Sequence, residues 1–273
     1  MKKNILYIFQ EITPYLPESP MAEIGRYLPQ KIQEKGNQIR VFMPRYGLVK
    51  ERRNQLHEVI RLSGMNIVVN DMDHSLVIKV ASIQSARMQV YFIDNEDYFQ
   101  RKALFYDENN EFFEDNDERT IFFTRGVMET IKKLRWKPDI IHINGWLSAL
   151  VPMYLQKLYS DDPIFNDTKV VVSLYNDEFD EKFQSGMKKK IKMDGITNDD
   201  LKPMDKNNYQ GLMKLAIKYS DAVIAAQENI NPSLIKYAKS KNKLFLDFIK
   251  EEDYYDQYDE FYSEVLNVTS DIK

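Results

Sequence analysis

The sequence contains no cysteine and only 9 glycines among its 273 residues. Without cysteine the chain can form neither a disulfide nor a thiolate metal site, which suits a reducing cytoplasm, and we expect a cytoplasmic protein. Glycine stands at about half its usual share of ~7%. Because a phosphate-cradling loop needs glycine for close backbone approach, this scarcity argues against a nucleotide-handling enzyme, and we expect no cofactor.

The chain also lacks a concentrated positive charge, a long apolar run and clustered histidines. Its net charge of −4 gives no electrostatic basis for nucleic-acid binding. The run Ile5–Phe9 is too short for a signal peptide or a membrane span, so we expect no membrane association. His57 and His74 have no partners at metal-ligand spacing, so we expect no metal site.

What the sequence does contain is typical of a globular α/β protein, with 43% hydrophobic and 29% charged residues. Asn4–Phe9 predicts a strand, Ser19 and Pro20 predict the cap and first residue of a helix, and Gln38–Met43 predicts a second strand. Pro29 predicts a kink or an early break in that helix. This order predicts a right-handed βαβ unit on a parallel sheet.

Further along, short β runs around the turn-forming pair Asn70-Asp71 predict an antiparallel ribbon. These runs are Asn66–Val69, Ser75–Val80 and Met88–Ile93. Beyond these runs, the sequence predicts helices over Asp117–Leu134, Pro232–Ala238 and Glu251–Val265, and strands over Lys169–Tyr175 and Ala222–Ala226. The charged composition of Glu178–Pro203 predicts a flexible or exposed segment, whose Lys188–Lys192 run is either solvated or in contact with an acidic partner.

We therefore predict an α/β, Rossmann-like fold with a mostly parallel sheet flanked by helices and an antiparallel β-ribbon insertion. The stretch Trp136–Pro152 predicts its functional edge. Lys137-Pro138 ends a helix, Asp139–Ile143 is a buried strand, Asn144-Gly145 is a turn and Trp146 begins the next helix. Open α/β sheets bind ligands where such a strand tip meets a helix N-terminus.

The ordered motifs of the chain resemble the N-terminal domain of bacterial glycogen and starch synthases, which are glucosyltransferases of the two-domain GT-B architecture. The resemblance extends from about residue 3 to about residue 226. It is carried by Glu11-Ile12-Thr13-Pro14, Ala22-Glu23-Ile24, Leu28-Pro29, Pro44-Arg45-Tyr46-Gly47, Asp94 with Tyr98-Phe99, Asp115–Arg119, Trp136–His142, Ala149–Pro152, Leu158–Phe165 and Asn176.

The chain departs from this family at the positions that carry its chemistry. The family's lysine-threonine-glycine-glycine loop, whose lysine contacts the donor phosphates, is here Pro17-Glu18-Ser19-Pro20. The histidine-aspartate-tryptophan-histidine motif is Asn144-Gly145-Trp146-Leu147, so Gly145 replaces the sugar-site aspartate. The histidine-asparagine pair is Tyr175-Asn176. Pro17, Gly145 and Tyr175 are thus degenerate positions, and we expect no catalytic residue.

The resemblance implies one domain over residues 1–273, with a core over about 3–228 and C-terminal helices over 229–273, forming one half of a GT-B fold. We expect a second domain to be missing. The leading hypothesis is a module without glucosyltransferase activity of its own that binds a glycan or a protein. The alternative is an ADP-glucose-dependent α-1,4-glucan glucosyltransferase half that works with a separate C-terminal domain. A third hypothesis is an unrelated Rossmann-like enzyme that uses another nucleotide. The chain has neither the glycine-rich turn nor the ribose-binding acid at the right spacing that such an enzyme needs.

The candidate ligand-binding residues are His142, Asn144, Trp146 and Asn176. Each has a structural alternative, because a histidine on a buried strand is more often a hydrogen-bonded core residue and an asparagine at a strand tip can cap a turn. The aromatic and acidic tail from Glu251 predicts either a carbohydrate or protein surface or a helix that packs back across the sheet.

Overall fold

The computed structural model of the protein describes residues 2–193, 195–251 and 254–268. Strand β1 spans Asn4–Phe9, helix α1 Pro20–Glu34 and strand β2 Gln38–Pro44. The Ser19 hydroxyl accepts a hydrogen bond from the backbone N–H of Ala22 and so caps α1, as predicted. Strands β1 and β2 pair in parallel, which confirms the βαβ unit.

The remaining elements agree closely with the predicted order. They are, in chain order, α2 Glu51–Asn54, β3 His57–Glu58, β4 Met65–Val69, β5 Met72–Ile83, β6 Met88–Asp94, α3 Glu96–Phe99, α4 Asn116–Leu134, β7 Ile140–Asn144, α5 Val151–Leu158, β8 Lys169–Leu174, α6 Met187–Lys192, α7 Tyr209–Tyr219, β9 Ala222–Ala225, α8 Pro232–Ser240, β10 Leu244–Leu246 and α9 Tyr255–Asn267. The helix predicted from Trp146 is a 3-10 helix over Trp146–Ser148, after which α5 begins.

The strands form one sheet in the order β10-β9-β8-β7-β1-β2-β6-β5-β3, and β4 pairs with β5. Pairing is parallel from β10 to β6. Strand β5 is antiparallel to both β6 and β4, with Asn70 and Asp71 in left-handed conformations at the turn between β4 and β5. The prediction of a mostly parallel sheet with an antiparallel ribbon is confirmed. The strand order reverses at β1, where α/β folds open a crevice at the carboxyl edge.

Two local predictions are wrong in part. Helix α1 does not break at Pro29 but continues to Glu34, because Leu28, Pro29 and Ile32 all lie in its buried face and packing outweighs one lost hydrogen bond. The segment Glu178–Pro203 is exposed only in part, because it contains the helix α6. Met187 and Ile191 of α6 are buried, and Lys190 lies 2.8 Å from both Asp117 and Glu118 of α4. The acidic partner of the lysine run is therefore the chain's own helix N-terminus.

The C-terminal part contributes to the sheet as well as to the helical layers. Strand β10 was not predicted, since its three residues are too short for a periodic signal. The predicted helix Glu251–Val265 begins at Tyr255, and Glu252 and Asp253 lie outside the described residues. Its buried face carries Tyr258, Phe261, Tyr262 and Val265. Helix α9 therefore packs back onto the sheet and against α1.

Candidate ligand-binding site

The tip of β7 is closed by a glycine and a glutamine. Gly145 has φ +92° and ψ 152°, a region that is almost restricted to glycine. A Cβ added there would lie 2.4 Å from Cδ and 2.5 Å from Oε1 of Gln10, whose side chain is buried. Gln10 Oε1 also accepts a hydrogen bond from the Leu147 backbone N–H at 3.4 Å. The space that a side chain at position 145 would need is therefore already occupied.

Trp146 lies within an aromatic cluster that covers the same strand tip. Its indole is 2% exposed, and its ring centroid lies 4.6 Å from that of Phe105 and 5.1 Å from that of Phe179. Phe112 and Phe183 complete the cluster at 6.1 and 5.7 Å. We call these five residues the aromatic plug. Because the other four rings come from two long loops, after β6 and after β8, sequence periodicity could not predict the plug.

His142 lies inside the sheet core and has no exposed surface. Its Nδ1 lies 2.7 Å from the Tyr262 hydroxyl of α9, and its Nε2 lies 2.7 Å from Ser173 Oγ of β8. Burial lowers the pKa of His142 to about 3, so the ring is neutral at physiological pH. The structure thus places this predicted ligand residue where it joins α9 to the sheet.

Asn144 and Tyr175 bind each other across the β7 and β8 tips. The Tyr175 hydroxyl donates a hydrogen bond of 2.8 Å to Asn144 Oδ1, and both side chains are buried. Burial raises the pKa of Tyr175 well above its ordinary value, so the phenol remains a donor. The degenerate position 175 and the candidate position 144 therefore form an internal contact.

Asn176 is the predicted site residue that faces solvent. Its backbone N–H donates to Gln227 Oε1 at 2.8 Å, and its side-chain Nδ2 donates to the Glu228 carbonyl at 2.7 Å. These bonds join the β8 tip to the loop after β9. Asn176 also lines both cavities that open at this edge.

The larger cavity has a volume of about 670 Å³ and lies between the N-terminus of α1, the loops after β8 and β9, and the segments 248–251 and 254–258. Tyrosine rings, amides and carboxylates line it: Tyr27, Tyr254, Tyr255, Tyr258, Asn176, Gln227, Asn229, Glu23, Glu228 and Glu251. Among the described residues, the positively charged side chain in this lining is that of Lys250, which forms an ion pair with Glu228. We call this cavity the tyrosine crevice.

A second cavity of about 300 Å³ shares Asn176 and Asn229 with the tyrosine crevice. Its other lining residues include Tyr175, Tyr209 and Asn231. The two cavities form adjoining compartments on the carboxyl side of β8 and β9. The sequence predicted Asn176 as a site residue and named the tyrosine tail, but it did not identify Gln227 and Asn229, which carry no motif, or assign Glu23 to the site.

The loop before α1 gives no visible anion site. Pro17 is exposed, and the Ser19 hydroxyl, which caps the helix, also donates to Glu11 Oε2 at 3.0 Å. Pro20 occupies the first helical position, where it supplies no N–H, and Glu23 lies in the first turn. A helix N-terminus attracts anions, but these residues withhold donors and add negative charge to it.

One titratable group near the plug was also missed by sequence reasoning. Burial raises the pKa of Asp177 to about 7, while hydrogen bonds, the largest from Tyr209, act in the opposite direction. The Tyr209 hydroxyl donates to Asp177 Oδ1 at 2.5 Å. A carboxyl group therefore lies beside the β7 tip, although none is present at position 145.

Neither a metal centre nor a membrane segment emerges from the described parts of the chain. No three described His, Cys, Asp or Glu residues are grouped so that they could hold a metal ion. Within the same residues, no helix is both long and apolar enough to cross a bilayer.

The parallel sheet, its helical layers and a crevice at its carboxyl edge define one half of a GT-B type glycosyltransferase fold. The structure is similar to the catalytic domain of starch synthase IV from Arabidopsis thaliana, bound there to ADP and acarbose. The TM-score is 0.74 at 16% identity, over 93% of this chain and 52% of that one.

The starch synthase catalytic domain family matches residues 4–263, and the chain belongs to this family. A glycogen synthase from Chlorobium limicola is 38% identical over 174 residues, which are 63% of this chain and 36% of that protein. A glycogen synthase from Chlorobaculum parvum is 34% identical over 221 residues, 81% of this chain and 45% of that one. The matched part of the chain thus spans less than half the length of these relatives.

Proposed function

We propose that this domain binds α-glucan chains in the tyrosine crevice and does not transfer glucose by itself. The observation that carries this proposal is that the crevice is open and lined by tyrosines, amides and carboxylates, whereas the β7 tip is filled by protein side chains. Tyrosine faces stack on sugar rings, amide groups donate hydrogen bonds to hydroxyls and accept them, and carboxylates accept them. A neutral, hydroxyl-rich ligand suits this lining, whose volume of about 670 Å³ lies in the usual range for ligand sites.

The same lining disfavours an activated sugar donor. A nucleoside diphosphate carries negative charge, and the crevice presents Glu23, Glu228 and Glu251 against one lysine that is already paired. Glucosyl transfer needs preorganised positive charge at the leaving diphosphate, usually the largest contribution to such catalysis. Pro20, which lines the crevice, and Pro17 and Gly145, which lie outside its lining, supply none of this charge.

Of the four candidate ligand residues, we propose that Asn176 contacts the glycan and the other three hold the scaffold beneath it. His142, Asn144 and Trp146 are each at most 2% exposed, and each has contacts within the protein. The Asn176 side chain faces the crevice, so its amide can exchange water for sugar hydroxyls.

The proposal is tested by separating binding from transfer with the purified chain. We expect the chain to sediment with glycogen and to give a saturable calorimetric signal with maltotetraose. We also expect no heat with ADP-glucose and no steady incorporation of labelled glucose into glycogen. Sustained incorporation would refute the proposal. Absence of any glycan binding would favour the other binding hypothesis, in which the partner is a protein.

A second candidate function is a glucosyltransferase half that works with a separate C-terminal domain. The family and the printed names of the relatives, glycogen synthases, favour it. Asp177 favours it too, because its carboxyl group lies at a strand tip next to the glycine that replaces the family aspartate. In this alternative, ADP-glucose binds when a family C-terminal domain is added. If calorimetry with such a domain detects no binding, the alternative fails.

A further inference from the structure

A cavity of about 520 Å³ lies at the opposite edge of the sheet, where β2 and β6 begin. Its lining includes two arginines, Arg40 and Arg87, and no aspartate or glutamate. This is unusual in a chain whose net charge is −4. We call it the arginine cavity. It shares no lining residue with the tyrosine crevice.

The sheet register gathers its polar side chains on one face. Val41 of β2 pairs with Val90 of β6, so Arg40 lies beside Gln89. Gln89 in turn pairs with Ser82 of β5. Residues two apart in a strand share a face, so Gln38 lies on the Arg40 side of β2. Arg87 precedes β6 in a left-handed conformation and also lines the cavity. Three neighbouring strands thus present a continuous polar row to the cavity.

Arg40 is held by contacts within the protein, yet among the described residues no carboxylate lies within 4.0 Å of the guanidinium of Arg40 or of Arg87. Arg40 lies over the Trp136 ring at 5.4 Å, and its Nη1 donates to the Ile39 carbonyl at 3.1 Å. These contacts fix the guanidinium without neutralising its charge. Arg87 is exposed at the rim.

Unsatisfied polar atoms mark the same cavity. Arg40 Nε and Gln33 Oε1 are both buried and have no hydrogen-bond partner. Such groups are rare in folded proteins, because leaving one unpaired costs about 1–3 kcal/mol. One is a charged donor and the other an acceptor. The pair suits a ligand that presents both an anionic oxygen and a hydroxyl.

We propose that the arginine cavity binds a small phosphorylated carbohydrate through its phosphate group. Guanidinium groups match phosphate oxygens in a bidentate geometry, and an uncompensated pair suits a dianion. The amides of Gln33, Gln38 and Gln89 and the Ser82 hydroxyl then contact sugar hydroxyls. This site is separate from the proposed glucan site, and neither proposal depends on the other.

The test is a calorimetric titration of the full chain with glucose 1-phosphate, glucose 6-phosphate, inorganic phosphate and glucose. We expect saturable binding of at least one sugar phosphate, weaker binding of inorganic phosphate and none of glucose. Arg40→Gln and Arg87→Gln should each weaken binding about tenfold, as expected for a charge-assisted hydrogen bond. Arg53→Gln, at an exposed arginine of α2, is the matched control and should not change it.

Arg40→Lys keeps the charge and guards against a folding artefact, since Arg40 also packs on Trp136. We expect this variant to melt like the wild type but to bind less tightly, because a lysine cannot form the bidentate fork. Equal affinity for inorganic phosphate would overturn the carbohydrate part of the proposal. No saturable binding, or equal affinity in the Arg40, Arg87 and Arg53 variants, would overturn the site itself.

Discussion

The tips of β7 and β8 belong to neighbouring strands of one sheet edge, yet one is filled and the other is open. At the β7 tip, Gln10 fills the space beside Gly145, and the other rings of the aromatic plug bury Trp146. One strand over, Asn176 faces a crevice of about 670 Å³. The comparison teaches that a fold's usual binding edge can be closed at one strand while its neighbour keeps room for a ligand.

The largest expected loss of unfolding free energy comes from removing a large side chain at the filled β7 tip. Trp146→Ala should lower the free energy of unfolding by about 3–5 kcal/mol, because it leaves a cavity within the aromatic plug. Tyr27→Ala in the tyrosine crevice should cost less than about 1 kcal/mol, since Tyr27 is 47% exposed. Chemical denaturation of both variants measures the difference. Similar losses in the two would mean that the regions do not differ as described.

The next effect concerns the closure by Gln10. Gly145→Ala should destabilise the protein by about 2–3 kcal/mol, from backbone strain and the clash with Gln10. When Gln10→Ala is combined with Gly145→Ala, the clash is relieved but the backbone strain remains. The double variant should therefore be about 1 kcal/mol more stable than the sum of the two single changes predicts. A double-mutant cycle by urea unfolding measures it. Strict additivity would show that Gln10 does not hold the position closed.

The third effect is a pH dependence that arises beneath the filled tip. The folded pKa of His142 is about 3, far below its ordinary value near 6.5, so the unfolded chain binds the proton more readily. Its contribution is complete above about pH 7 and is lost as pH falls, by about 2 kcal/mol at pH 5.

This third effect is isolated by comparing unfolding free energies of the wild type and His142→Gln between pH 7 and pH 5. The variant should show a shallower fall on acidification. His57→Gln, at an exposed histidine, should keep the wild-type slope. An unchanged slope in His142→Gln would contradict the assignment of a neutral, buried ring.

The smallest expected change in stability, and the most specific, is in the open region. Asn176→Ala should weaken maltotetraose binding about tenfold by calorimetry, while the unfolding free energy changes by less than about 1 kcal/mol. Asn198→Ala, at another exposed asparagine, serves as the control. Unaltered affinity in Asn176→Ala would remove this residue from the proposed site.

Much of the fold could be predicted from the sequence because buried strands and capped helices leave local signals. Ser19 with Pro20, the apolar strands around β1 and β7, and the Asn70-Asp71 turn all carried such signals. The predictions of a helix break at Pro29 and of an exposed segment around α6 failed. Tertiary packing decides whether a proline is tolerated in a helix and whether a lysine-rich stretch is exposed. Ile191 is buried although four lysines surround it.

The site was harder to predict, for a physical reason. Asn176 and the family positions could be located by strand tips and motifs, but their surroundings depend on contacts between distant segments. Gln10 reaches Gly145 across 135 positions of sequence, and the segment around Tyr254 closes a crevice that begins at Pro20. Whether a strand tip is open or filled is decided by those loops, and no periodic pattern encodes it.

The most direct test of the central claim is a crystal structure of the chain grown with maltotetraose and ADP-glucose together. The account predicts glucan density beside Asn176 and Tyr255, with Trp146 and Gln10 in the positions described above and no nucleotide at the α1 N-terminus. Density for ADP-glucose over an opened Gly145, with the aromatic plug displaced, would contradict it.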